Sequence, residues 1–177
     1  MAQPVEFVMS FSIHTASIPV FKQMLGALSA VLQKAETYAA ERKFEPSALL
    51  QARLYPDMFP LVRQVQIASD FAKSVSARLA GIEPPAYDDT EQTFAELQAR
   101  IAKVLQFIDS LPAADIDAGA TRDIVLQAGT PREKKFIGQA YLLHYGLPHF
   151  YFHVTTAYDI LRHNGLAVGK KDFIGTY

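Results

Sequence analysis

Apolar positions recur at three- and four-residue steps in four long stretches of the chain, the period of a helix that buries one face. The first covers about residues 17–42, where Phe21, Leu25, Leu28, Leu32 and Ala35 form the stripe and Met24, Val31 and Tyr38 flank it. Ser17 is placed to cap its start, and Pro19 falls in the first turn, where a missing N–H costs little. Phe44-Glu45-Pro46-Ser47 breaks the pattern, and residues 47–54 predict one or two short helical turns. The second stretch runs from Asp57 to Ala80-Gly81, with Met58, Leu61, Val65, Ala68, Ala72, Val75 and Leu79 inward. Phe59, Ile67 and Phe71 give it a second apolar flank, so it should touch neighbours on two sides.

After the Gly81-Ile82-Glu83-Pro84-Pro85 turn, a third helix is expected from Asp89 or Thr90 to just before Pro112. Phe94, Leu97, Ile101, Val104, Leu105 and Ile108 are its buried face, with Arg100 and Lys103 on a solvated outer side. Residues 113–120 are small and acidic and read as loop; residues 122–127 and 135–137, around Gly129-Thr130-Pro131, read as a small β-hairpin. The last helix begins near Gly146-Leu147-Pro148 and closes at Arg162-His163-Asn164-Gly165, where cations meet the negative helix end. The expected fold is all-α: a four-helix bundle with a small β-hairpin between the third and last helices. It forms a single domain over residues 9–177, because the amphipathic pattern begins only after Met9; residues 1–8 are an N-terminal extension.

Composition narrows the function classes. The 177 residues carry 17 Lys+Arg against 18 Asp+Glu, a net charge of −1, which supplies no electrostatic footprint for nucleic acid or an anionic membrane. The absence of Cys removes disulfides, thiolate metal sites and a cysteine nucleophile. No basic n-region and long apolar core open the chain, and no uninterrupted apolar run is long enough for a membrane span, so a cytoplasmic location is expected. Mean hydropathy of +0.06 and the second apolar flank suggest surface to hide, and a homodimer is expected.

One constellation carries chemistry. His149-Phe150-Tyr151-Phe152-His153 sets two imidazoles four residues apart, on one face of a helix. Neutral imidazoles so placed can share a divalent ion. Helical geometry groups His149, Phe152, His153, Thr156 and Ile160 on the side expected to enter the bundle. A third ligand would come from the second helix, where Gln64 and, one heptad earlier, Asp57 share nearly one row; Asp57 is also placed to cap that helix. Asp70 and Gln66 turn outward. A polar pocket lined by Tyr151, Phe152, His153 and Gln64 could equally hold a small ligand without a metal. His14 and His144 are weaker candidates, His163 suits the helix end, and Gly169-Lys170-Lys171-Asp172 reads as a solvated basic turn.

Leu147-Pro148-His149-Phe150-Tyr151-Phe152-His153-Val154, followed by Thr156-Ala157-Tyr158-Asp159-Ile160-Leu161-Arg162-His163-Asn164-Gly165, resembles the C-terminal part of DinB/YfiT-like proteins. Within that superfamily the chain looks closest to an uncharacterised bacterial branch, a domain of unknown function. Pro56-Asp57-Met58-Phe59-Pro60-Leu61, Gln64-Val65-Gln66 and Gly169-Lys170-Lys171-Asp172-Phe173-Ile174-Gly175 extend the resemblance over nearly everything after Met9. It implies a DinB-type four-helix bundle, often dimeric, with a cleft at one end. In that superfamily one histidine on helix two and two on helix four hold a nickel- or zinc-like ion, and some members are thiol-dependent transferases or hydrolases of small molecules. His149 and His153 match the helix-four pair; the helix-two histidine has no counterpart, with Gln64 or Asp57 in its neighbourhood. The two functional expectations are therefore a metal-dependent enzyme acting on a small molecule, and a metal-free bundle that binds a small ligand or serves a structural role.

Overall fold

The computed structural model describes residues 11–177; the expected extension, residues 1–8, lies outside the described residues. Four long helices make the bundle: α1 (Ile13–Arg42), α3 (Leu61–Ala80), α4 (Phe94–Asp109) and α7 (Leu147–His163). Helix α3 is the central rod, packed against both α4 and α7, while α1 closes the other side against α4 and α7. Short pieces join them: α2 (Ser47–Leu50), α5 (Ala113–Asp117) and a 3-10 turn (Ala118–Thr121), then the antiparallel strands β1 (Asp123–Leu126) and β2 (Lys134–Ile137). The strands pair from Asp123 opposite Ile137 to Leu126 opposite Lys134. Helix α6 (Gly138–Tyr141), a π-helical turn (Leu142–Gly146) and α7 follow without a break, and α8 (Lys170–Ile174) folds back on α1.

The predicted stripes form the core. Phe21, Leu25, Leu32 and Ala35 of α1 and Val65, Ala68, Ala72 and Leu79 of α3 are buried, as are Leu97, Val104 and Ile108 of α4. Helix α1 is long and apolar enough to cross a membrane by length and composition, but its apolar face lies inside the bundle.

Boundaries moved where capping chemistry differs from the expectation. Helix α1 starts one turn early because the Ser12 hydroxyl accepts from the Thr15 N–H at 3.1 Å; Ser17 lies inside the helix and donates back to the Ile13 carbonyl at 2.7 Å. Helix α3 starts at Leu61 behind Pro60, so Asp57 does not cap it and sits in an exposed turn. Helix α4 starts at Phe94 behind a capping box, Thr93 with Glu96, after an extended linker. The expected loop at 113–120 is α5 and the 3-10 turn.

That linker corrects the outer face of α4. Arg100 is buried with its side chain only 2% exposed, ion-paired at 2.9 Å to each of Asp70, Asp89 and Glu91. Gln66 is buried too and donates to Glu91 at 2.9 Å. Tyr87 lies between the ammonium groups of Lys73 and Lys103, 4.3 and 3.9 Å from its ring centre. The linker residues lie over the α3–α4 groove, which gives Arg100 the carboxylates that burial demands.

Two glycines permit the tightest crossing. A Cβ on Gly138 would stand 1.8 Å from the Gly119 carbonyl oxygen, and one on Gly119 would stand 2.2 Å from the Leu79 carbonyl oxygen. Backbone cannot yield as a flexible side chain can, so Gly138→Ala is expected to cost about 2 kcal/mol or more in urea unfolding. Gly26→Ala, exposed in α1 with nothing near its Cβ, is expected to stabilise by about 0.5–1 kcal/mol, which separates crowding from a general dislike of alanine. Equal effects at the two positions would contradict this assignment.

Candidate functional site: a histidine pair on the α3–α7 seam

The π-helical turn shapes the approach to His149. Pro148 has no N–H and its ring crowds the carbonyl four residues back, so a widened turn at 142–146 lets the helix continue through it. The carbonyl of Tyr145, within that turn, accepts a hydrogen bond from Nδ1 of His149 at 2.7 Å. Because a carbonyl only accepts, Nδ1 holds a proton, and the neutral tautomer this bond selects carries its lone pair on Nε2.

His153 is fixed by α3. The Gln64 amide nitrogen donates to the Phe59 carbonyl at 3.0 Å, which turns the amide oxygen toward His153. Nδ1 of His153 therefore donates to that oxygen at 2.7 Å, and its Nε2 lone pair is again unused. Phe71 lies roughly parallel to both rings, 4.9 Å from His149 and 6.0 Å from His153 between ring centres. Burial first, and then the proximity of His149 and Arg63, push the pKa of His153 down from 6.5 to about 4. The ring is neutral at pH 7.

The structure brings His149, His153 and Gln64 together. Gln64 serves as an orienting partner with both amide atoms engaged. Asp57 stays exposed, and among the described residues it makes no side-chain hydrogen bond or ion pair. The buried face of α7 is Phe150, Val154, Thr156, Ala157, Ile160 and Leu161, so Thr156 and Ile160 enter the bundle as expected, and Phe150 packs edge-on to Phe21 at 4.9 Å. Phe152, also expected to point inward, is instead 55% exposed, and Tyr151 lies at the surface beside it. His14, His144 and His163 stand apart from the pair. Asp172 caps α8 by accepting from the Gly169 N–H and pairs with Lys34, so the basic turn is a docking element against α1.

Among the described residues no three His, Asp or Glu side chains gather in a metal-binding group. The α3 side chain stacked on both imidazoles is Phe71, a hydrocarbon without a lone pair. The donor set present is thus one protein ligand short of a three-histidine centre, and it does not fit a resident ion of that kind.

A cleft of about 260 Å³ opens beside the pair, between α3, the hairpin and the π-helical turn. Phe71 and Tyr145 wall it, and Arg78, Arg132, Lys134 and Tyr141 line it. Phe136 of β2 holds the hairpin there by packing on Tyr141 and Tyr145, at 5.7 and 5.3 Å between ring centres. No local pattern announces this cleft, since its residues come from two separate segments, 70–78 and 126–145.

Comparison with known proteins places the chain in a family. The profile described as Domain of unknown function (DUF1993) matches residues 13–174. The chain belongs to the DUF1993 family. A crystal structure of a DinB family member protein from Shewanella denitrificans is similar at 43% identity and a TM-score of 0.87, covering 93% of each chain. No curated protein matches. This DUF1993 chain is thus DinB-like in fold, with the α7 histidine pair that the resemblance implied and Gln64 and Phe71 as their partners on α3.

The native pKa of His153 lies below its unfolded value, so between pH 6.5 and 4 the unfolded chain binds more protons. The stabilisation from the neutral ring is fully present above pH 6.5 and lost as pH falls toward 4. After discounting for solvent at the ring edge, the loss is about 2 kcal/mol. Urea titrations across this window are expected to show that slope in the parent protein and a flatter one in His153→Gln. Matching slopes would count against the buried, neutral ring.

Proposed function

We propose that this DUF1993 chain is a metal-independent small-molecule-binding bundle, with its ligand held where α3, the hairpin and α7 meet. The observation that carries the reading is the orientation of the two imidazoles. Both Nδ1 atoms donate to fixed oxygen acceptors, and the neutral His153 ring keeps an Nε2 lone pair that accepts a hydrogen bond from a ligand. Phe71 and Tyr145 supply an aromatic surface against which a flat molecule stacks. Exposed Tyr55, Phe59 and Phe152 support the further reading that a second copy of the chain covers apolar surface in a homodimer.

Elemental analysis and thermal melts of freshly purified, untagged protein test the proposal together. Expected are a divalent-metal content well below one ion per chain and a Tm unchanged by EDTA, since a bound ion would stabilise only the folded state. A stoichiometric ion that vanishes in His149→Ala and His153→Ala would overturn the reading in favour of a metal-dependent hydrolase or transferase. Light scattering on the same sample is expected to give the mass of a dimer, and a monomer would remove the second copy from the account.

A further inference from the structure

The cleft beside the histidines is lined by more cations than carboxylates. Arg78, Arg132 and Lys134 converge on it, and among the described residues none of the three is ion-paired to a carboxylate. The carboxylates nearest in the chain are already engaged. Asp70, which also lines the cleft, is bound by Lys73 at 2.7 Å and Arg100 at 2.9 Å. Glu133 accepts from the Gly129 N–H at 2.7 Å and pairs with Lys135 at 3.1 Å. The positive charge of the cleft is therefore not neutralised from within.

Its donors are also free. Arg78 uses Nη1 alone, in long contacts to the Ser74 carbonyl at 3.4 Å and the Tyr141 hydroxyl oxygen at 3.3 Å. The rest of its fork remains available. Tyr141 is 1% exposed, and since its oxygen accepts from Arg78, its own proton is left to donate into the cleft. Burial raises its pKa, so the hydroxyl keeps that proton at neutral pH. Next to these donors stand the faces of Phe71 and Tyr145, with Lys134 5.2 Å from the Tyr145 ring centre.

From this juxtaposition we infer that the cleft binds a small aromatic carboxylate: the carboxylate on Arg78 and the Tyr141 hydroxyl, the ring against Phe71 and Tyr145, and Arg132 and Lys134 closing over the charge from the hairpin. A guanidinium fork matches a planar carboxylate with two parallel hydrogen bonds, and a volume of about 260 Å³ holds one ring and its substituent but no large body. The inference rests on the reading that this end of the bundle is a small-molecule site. It does not depend on whether the histidines also hold an ion.

Calorimetric titration with benzoate, benzamide and phenyl phosphate, each with and without EDTA, tests it. Benzoate is expected to bind and benzamide, its neutral counterpart, at least about tenfold more weakly, a ratio that shrinks as salt is added. Arg78→Gln is expected to weaken benzoate about tenfold, with Arg78→Lys between it and the parent. Arg132→Gln, at an exposed hairpin position, is expected to weaken it a few-fold and keeps the test decisive should Arg78→Gln fail to fold. Binding of benzamide as tight as benzoate, a preference for phenyl phosphate, or no binding of benzoate at all overturns the assignment. Benzoate binding abolished by EDTA would put the carboxylate on an ion and overturn both readings, whereas a stoichiometric ion with benzoate binding unchanged by EDTA would strike the metal-independent reading alone.

Discussion

A polar ring placed between two helices must find a partner for its N–H or give up much of the energy of burying it. The hydrogen bond from His153 to Gln64 answers that constraint, and much else at this end of the bundle follows from it. Gln64 is 1% exposed and stands in the first turn of α3, where helix entry behind Pro60 brings no side-chain cap. Its amide reaches back to the Phe59 carbonyl and forward to α7. One side chain thereby steadies the entry of α3, pins α7 against it and chooses which nitrogen of His153 carries the proton.

Two contrasting arrangements of cations flank α3. On the α4 side Arg100 is enclosed by three carboxylates and the Asp88 carbonyl, so its charge is spent inside the protein. Its pKa is raised: burial alone would lower it, and the hydrogen bond and ion pairs outweigh that. Near the hairpin, Arg78, Arg132 and Lys134 have no such partners among the described residues. Charge is paired on the α4 side of α3 and left unpaired at the cleft. The aromatic row from Phe136 through Tyr145 to His149 and Phe71 joins the open side to the histidine seam.

Much of this was legible in the chain. The four helices announce themselves through apolar periodicity, Gly81 and Asn164-Gly165 mark their ends, and the histidine pair and Gln64 follow from spacing along a helix face. Other features depend on partners that no local pattern reveals. Arg100 reads as solvated until the linker carrying Asp89 and Glu91 folds over it. The buried face of α7 is centred on Phe150, Val154, Ala157 and Leu161, so of the row that periodicity favours Thr156 and Ile160 are buried while Phe152 faces outward. Pro148 reads as a helix start, although the widened turn carries the helix through it. Arg78 and Lys134 meet only because Phe136 docks the hairpin on Tyr141 and Tyr145.

His153 is a neutral ring at pH 7 that donates from Nδ1 to Gln64 and leaves the lone pair of Nε2 unused. Long-range nitrogen–proton NMR of histidine-labelled protein at pH 7 reads ring protonation directly. A His153 ring protonated on Nδ1 and bare at Nε2 is the expected result; a charged His153 ring, or its proton on Nε2, would contradict the Gln64 bond and the buried neutral imidazole.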